Sequence, residues 1–165
     1  MRRKKISQNA LQKACFGTGC FWHVEAEFRK VKGVEDTAVG FMGGRLENPS
    51  YKDVCSHTTG HAEVCLVEFN PNKVSYDKLL DVFWKVHDPT QLNRQGVDVG
   101  DQYRSVIFYY DKTQRKSAIE SMKKEQKKYK QAIVTQALPA ATFYKAEEYH
   151  QRYFDKNHVA ACGLR

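Results

Sequence analysis

The feature that most constrains the fold of this 165-residue chain is the alternation of two kinds of segment along the sequence. Short segments rich in β-branched, aromatic or alternating apolar residues predict strands, and the longer stretches between them carry apolar residues at helical spacing. Strands are predicted at 13–17, 33–44, 61–69, 103–110 and 132–138. This interspersion favours an α+β fold, a two-layer sandwich in which helices pack on one mixed sheet. Periodicity alone does not give the strand order.

The predicted helices have recognisable starts and ends. Helix is predicted from Phe21 to about Val31, from Ser75 to before Pro89, from Asp111 to about Lys130, and from Tyr144 to about Phe154. Ser75 and Asp111 are typical N-caps, because their side-chain oxygens accept hydrogen bonds from the first turn of a helix. The loop 47–54 is predicted to hold one helical turn.

The net charge of +8 is concentrated in two stretches. Residues 1–13 and residues 111–130 each contribute +5, which leaves about −2 for the rest of the chain. We interpret them as a basic tail over 1–12 and a solvated helix face, rather than as a nucleic-acid surface. Residues 13–165 are then expected to form a single domain. No apolar run is long enough to cross a bilayer, so no membrane association is expected.

The chain has five cysteines, at positions 15, 20, 55, 65 and 162. An odd number without a CxxC pair, and with no secretory leader, argues against a secreted disulfide scaffold. A reducing compartment, the cytoplasm, is therefore expected. Unpaired cysteines in such a compartment either fill the core or react.

Cys20 stands in the stretch GTGCFW, where the first predicted strand gives way to a helix. Free N–H groups and the helix dipole at such a position favour a thiolate and so lower the thiol pKa. Gly17 and Gly19 let another group approach the backbone closely. The alternative is an ordinary buried packing cysteine, but the glycines on one side and Phe21 and Trp22 on the other favour a reactive thiol.

Glu63 is the second unusual residue. Strand periodicity over 61–69 places its carboxyl on the same face as Cys65, Val67 and Phe69. An unpaired carboxylate on an apolar face is unfavourable, so burial should raise its pKa and make it a general acid near neutral pH. The alternative is an edge-strand carboxylate that reaches solvent or forms a salt bridge.

A metal site is a weaker interpretation of this region. Cys55, His57, His61 and Cys65 follow a C-x-H-x3-H-x3-C pattern, which is not the spacing of a common structural zinc site. His61 and Cys65 share a strand face but would lie ~13 Å apart along it. We therefore expect no metal.

Five motifs in order resemble the class A peptide methionine sulfoxide reductases over about residues 13–164. These are GCFW (19–22), NPSYKDVC (48–55), GHAE (60–63), FWKVHDPT (83–90) and DVGDQYRS (98–105). The resemblance implies a two-layer α+β fold with a ferredoxin-like core. It implies reduction of methionine S-sulfoxide, free or in peptides and proteins, without a metal or organic cofactor.

The resemblance also implies roles for individual residues. Cys20 would be the nucleophile and Glu63 the acid, and the reaction would leave a sulfenic acid on Cys20. Phe21 and Trp22 would form a wall around the substrate methyl group. Tyr51 and Tyr103 would hydrogen-bond the sulfoxide oxygen, and Asp98 would orient the substrate backbone.

The chain departs from the family pattern at two places. Glycine usually follows GCFW, whereas this chain has His23, which we expect to face solvent. The C-terminal AACGLR holds a single cysteine, so the expected resolving thiol is Cys162, recycled by a thioredoxin-like protein. Cys15, Cys55 and Cys65 are expected to be structural, and the protein to be a monomer.

Two other functions are alternatives for a chain with a reactive thiol and a basic helix. A thiol peroxidase or another cysteine-based redox enzyme would share a reactive thiol, but it would not need Glu63 and the two tyrosines. A nucleic-acid-binding module would use the basic helix and be indifferent to Cys20.

Overall fold

The computed structural model describes residues 10–157, and its elements follow the predicted exchange of strands and helices. The strands are β1 (Gln12–Thr18), β2 (Val34–Met42), β3 (Ala62–Phe69), β4 (Arg94–Gln95), β5 (Asp98–Val99), β6 (Ser105–Tyr109), β7 (Gln136–Pro139) and β8 (Tyr144–Lys145). The helices are α1 (Phe21–Arg29), α2 (Tyr51–Cys55), α3 (Tyr76–Lys85), α4 (Lys112–Gln126) and α5 (Tyr153–Asn157). Short 3-10 turns cover Asp101–Tyr103 and Glu148–His150.

Within the described residues, six strands form one sheet in the order β7-β6-β1-β3-β2-β8. The four central strands pair antiparallel as β6-β1-β3-β2, while α1 joins β1 to β2 and α3 lies between β3 and β6. This is the arrangement of two split β-α-β units, a ferredoxin-like core. Strand β7 pairs parallel with β6 and makes the sheet mixed, so the predicted α+β class is confirmed.

The main core lies between the sheet and helices α1, α3 and α4. Phe16 of β1 is fully buried there, with its ring 5.0 Å from that of Phe28 in α1 and 5.4 Å from that of Phe83 in α3. A smaller apolar cluster, which includes Cys15 and Phe108, lies on the other face of the sheet beneath Phe143. Because strand side chains alternate between faces, β1 contributes to both clusters.

The predicted helix caps are present. The Ser75 hydroxyl accepts a hydrogen bond from the Lys78 amide at 3.1 Å, and the Asp111 carboxylate accepts one from the Gln114 amide at 2.8 Å. Helix α4 buries little, and its lysines and arginine are exposed, as a solvated face requires. No helix within residues 10–157 combines the length and apolar character needed to cross a membrane.

The predicted helix over 144–154 is wrong. Residues 144–145 instead pair with β2 as a short strand, and helix begins only at Tyr153. The reason is a specific anchor, since the Gln151 side chain accepts a hydrogen bond from the Val39 amide and donates to the Val39 carbonyl, both at 2.8 Å. These bonds hold the segment against β2 and take the place of helical bonding.

Candidate active site

Cys20 occupies the two-residue turn between β1 and α1. Gly19 has φ of +109°, which side chains other than hydrogen rarely tolerate, and Cys20 is the N-cap of α1. A Cβ at Gly17 would lie 2.8 Å from the Val106 side chain, and one at Gly19 would lie 2.8 Å from that of Gln95. The close approach expected at these glycines is therefore made by the chain itself, and it fixes the direction in which Cys20 points.

The expectation of a lowered thiol pKa at Cys20 is wrong. The N–H groups of Trp22 and His23 do lower the pKa, but burial is the larger effect and raises it to about 12, with the Glu63 charge adding to the rise. Burial has the larger effect because the Cys20 side chain lies largely inside the protein, where a charged sulfur would lose its hydration. Cys20 is thus a thiol at neutral pH, and its proton has to leave during any attack.

Glu63 lies beside Cys20 because of the register of β3 on β1. Phe16 pairs with Cys65, so Glu63 lies two residues further on, where β1 gives way to α1. Its carboxyl is 1% exposed, and burial raises its pKa to about 8. Oε1 accepts a hydrogen bond from the Phe21 amide at 3.4 Å, whereas Oε2 has no partner within residues 10–157. Glu63 is therefore a neutral acid at pH 7 with an uncommitted O–H.

Tyr51, Tyr103 and Asp98 converge on the same place. Burial raises the pKa of both tyrosines, and the nearby Glu63 charge raises it further. Tyr51 lies within electrostatic reach of Glu63 and Cys55, while Tyr103 lies within electrostatic reach of both Cys20 and Asp98. Both phenols keep their protons and can donate hydrogen bonds.

An aromatic wall, defined here as Phe21, Trp22, Tyr51, His150 and Tyr153, bounds this site. Trp22 stacks on Tyr153 with ring centroids 3.8 Å apart and an interplanar angle of 8°, and its indole N–H donates to His150 Nδ1 at 2.9 Å. The His150 ring also lies 5.2 Å from Phe21 and 4.4 Å from Tyr51. Aromatic faces of this kind accept an apolar group such as methyl.

The sequence-based prediction missed His150 and the segment that carries it. The Glu147 carboxylate accepts from the Tyr51 amide at 3.1 Å, which ties this segment to α2. The buried Glu25 of α1 accepts a hydrogen bond from the Arg152 amide at 2.5 Å, and Arg152 takes a left-handed φ of +52°. The available signal was the run of acidic and aromatic residues in EEYHQRYF (147–154), which lacks a clean helical period.

The two histidines of the C-x-H-x3-H-x3-C pattern have separate hydrogen-bond partners. His61 accepts from the Gly44 amide at 2.9 Å and faces the Leu46 carbonyl at 2.7 Å, while His57 pairs with Gln102 at 2.7 Å. Cys65 is fully buried, and desolvation raises its pKa. Across residues 10–157 no cluster of three or more potential ligands is arranged to hold a metal ion.

Four of the five cysteines lie within the described residues. Cys15, Cys20, Cys55 and Cys65 are unpaired, and Cys162 lies outside the described residues. His23 does not point freely into solvent, so the expectation from the sequence is wrong. It is half-buried, hydrogen-bonds the Val86 carbonyl and lines a cleft next to Cys20.

The chain is similar in sequence and in structure to known proteins over most of its length. A family model described as peptide methionine sulfoxide reductase matches residues 12–165. The peptide methionine sulfoxide reductase MsrA of Methanothermobacter thermautotrophicus is 60% identical over 155 residues, covering 93% of this chain and 92% of that protein. Reduced Mxr1 from Saccharomyces cerevisiae is structurally similar, with a TM-score of 0.88, 36% identity, and coverage of 94% of this chain and 91% of that one. Mxr1 in complex with Trx2 matches with a TM-score of 0.63 at 25% identity, over 91% of each chain.

Proposed function

The chain belongs to the peptide methionine sulfoxide reductase family, and from that membership we propose that it reduces methionine S-sulfoxide, free or within peptides and proteins, to methionine. The observation that best supports this activity is the protonated Glu63 carboxyl beside the Cys20 thiol, with one oxygen uncommitted. A sulfoxide oxygen must gain a proton as its bond to sulfur breaks, and a neutral buried acid supplies one. A thiol peroxidase would not need Glu63 and the two tyrosines.

The reaction transfers one oxygen atom from the substrate to Cys20. The S–O bond of the sulfoxide breaks and an S–O bond to Cys20 forms, so the substrate sulfur is reduced by two electrons and Cys20 is oxidised to sulfenic acid. Glu63 gives its proton to the sulfoxide oxygen and takes up the thiol proton that Cys20 releases. No external proton is consumed, which suits a site in which both groups start protonated.

The other residues position the substrate and stabilise charge. Tyr51 and Tyr103 donate to the sulfoxide oxygen and stabilise the charge that develops on it. Asp98 accepts from the substrate backbone. Phe21 and Trp22 receive the methyl group, with His150 holding the Trp22 indole in place through its Nδ1.

We expect strict selectivity for the S epimer. Phe21 and Trp22 are proposed to receive the methyl group and Glu63, Tyr51 and Tyr103 to donate to the oxygen, so exchanging methyl and oxygen would leave the oxygen against rings with its hydrogen bonds unmade. The test is turnover of separated S and R epimers of a methionine sulfoxide peptide with dithiothreitol as reductant. The S epimer should react at least ~100-fold faster. Similar rates for both epimers would contradict the proposed geometry.

Regeneration is proposed to run through Cys162 and a thioredoxin-like protein. A thiol on a C-terminal stretch of small residues can condense with the Cys20 sulfenic acid, and the resulting disulfide is open to exchange. The structure of yeast Mxr1 in complex with Trx2 supports a partner of this kind for this chain.

Cys162→Ser is expected to release one methionine per enzyme at the wild-type rate and then to stop when thioredoxin is the reductant. Dithiothreitol, which reaches the sulfenic acid directly, should sustain turnover. The measurement is a burst assay with each reductant, with peptide mapping of the oxidised wild type as its companion. A map that pairs Cys20 with Cys15, Cys55 or Cys65 would show that another thiol resolves the intermediate.

The compartment, the oligomeric state and the domain limits of the enzyme are part of the same proposal. Four unpaired thiols in the described residues suit a reducing compartment, and we place the protein in the cytoplasm as a monomer. Residues 13–165 act as one catalytic domain, with 1–12 as a basic tail.

A further inference from the structure

A cleft of about 440 Å³ opens beside Cys20 and is distinct from the aromatic wall. It shares only Cys20 and Asp98 with the catalytic residues proposed above. Its other walls come from the end of α3, from His23, and from the loop and hairpin that carry β4 and β5. The space corresponds to about fifteen water molecules, which is more than one substrate side chain inserted at Cys20 needs.

One wall of the cleft carries a buried hydroxyl without a partner. Thr18 is 3% exposed, and its Oγ1 has no hydrogen-bond partner within residues 10–157. Buried hydroxyls are nearly always paired, because losing water without replacement is unfavourable. A polar group from a bound molecule would satisfy it.

The rim of the cleft is apolar and exposed. Val97, at the tip of the β4–β5 hairpin, lines the cleft and is 88% exposed, while Leu92 and Val99 nearby are 67% and 61% exposed. Three large apolar side chains on one short loop are an uncommon concentration for a free surface. Of the three, Val97 is the one that lines the cleft, and it suits contact with an apolar side chain of a bound molecule.

We propose that this flanking-residue cleft binds the part of a polypeptide substrate that adjoins methionine sulfoxide, with an apolar neighbouring side chain against Val97 and a backbone group at Thr18. The inference rests on the proposed function, since a substrate backbone bound to Asp98 would adjoin the cleft that Asp98 also lines. Free methionine sulfoxide has no residue to place there.

The first test compares two exposed valines on the hairpin. Val97→Asn removes the exposed apolar side chain that lines the cleft without adding charge, and Val99→Asn is the matched control, because Val99 does not line the cleft. With dithiothreitol as reductant, Val97→Asn should lower kcat/KM about fivefold for a peptide with leucine next to methionine sulfoxide. Its kcat/KM for free methionine sulfoxide and for a glycine-flanked peptide should stay within about twofold of wild type. Val99→Asn should match wild type on all three.

The second test uses Thr18→Val, which replaces the unpaired hydroxyl with a methyl of the same shape. Folding stability should be unchanged or higher, because an unsatisfied buried group is removed. The kcat/KM for peptides should nevertheless fall roughly fivefold, with activity on free methionine sulfoxide kept. A merely structural role for Thr18 would not separate stability from peptide activity in this way.

The outcomes distinguish this inference from the proposed function. Absence of any sulfoxide reduction by the wild type would overturn the proposed function itself. Normal reduction with equal losses on free and peptide substrates, or with no loss in either variant, would overturn the flanking-residue cleft. A loss seen only when thioredoxin replaces dithiothreitol would assign the cleft to the reductant instead and would also overturn it.

Discussion

Cys20→Ser is expected to lower single-turnover reduction of methionine S-sulfoxide by at least about 10⁴-fold. A serine oxygen is not oxidised to the equivalent of a sulfenic acid, so the substrate oxygen has no acceptor. The measurement is mass spectrometry of methionine released by stoichiometric enzyme without added reductant. Cys15→Ala is the matched control: that thiol is fully buried on the opposite face of the sheet, and its loss should leave the single turnover intact. Release of one methionine by Cys20→Ser would remove the nucleophile from the proposal.

The second large effect is expected for Glu63→Gln. The amide keeps the shape of the carboxyl but cannot give a proton to the sulfoxide oxygen, so the single-turnover rate should fall by about 10²- to 10⁴-fold. The substrate KM should change much less, because the hydrogen bond from the Phe21 amide can still be accepted. Rapid-quench kinetics over a range of substrate concentrations separates the two parameters. A raised KM with an unchanged single-turnover rate would make Glu63 a binding residue.

The same variant should be more stable than the wild type, and increasingly so as pH rises. The pKa of Glu63 is raised to about 8 by burial, above its ordinary value of 4.5, so folding holds a proton on this carboxyl. The destabilising effect of the Glu63 carboxyl on the wild type is absent below pH 4.5, grows as pH rises toward 8, and is constant above 8. Each pH unit within that interval lowers the free energy of unfolding by about 1.4 kcal/mol. Urea unfolding at pH 5 and pH 8 should show a larger advantage of Glu63→Gln at pH 8, and parallel pH profiles would contradict the buried neutral acid.

Much of the fold was predictable because its signals are local. The β-branched run around Ile107 and the caps at Ser75 and Asp111 depend on neighbouring residues alone, and these elements formed as expected. The strand order is set by pairings between distant segments, which periodicity does not encode. The failure over 144–154 has the same origin, since Gln151 bonds to Val39, more than a hundred residues away.

In the candidate site, too, features that depend on neighbouring residues were predictable from the sequence, and features that depend on distant residues were not. The setting of Cys20 at a helix start and the placement of Glu63 on an apolar strand face were visible in the sequence, as was the raised pKa of Glu63. The sign of the Cys20 pKa shift was not, because the helix-start effect is local whereas burial depends on the whole fold. His150 was missed for the same reason, since its partner Trp22 lies 128 residues earlier.

The distance in sequence between Trp22 and His150 has a consequence for how the protein is made. A ribosome releases the chain from the N-terminus, so Cys20 and Glu63 emerge while His150 and Tyr153 have not yet been synthesised. During that interval the Cys20 thiol is present without the rings that Trp22 packs against. We therefore expect oxidants to reach the Cys20 thiol of a nascent chain while the aromatic wall for the substrate methyl group is still incomplete. The proposed repair activity can begin only when residues 147–153 have left the exit tunnel.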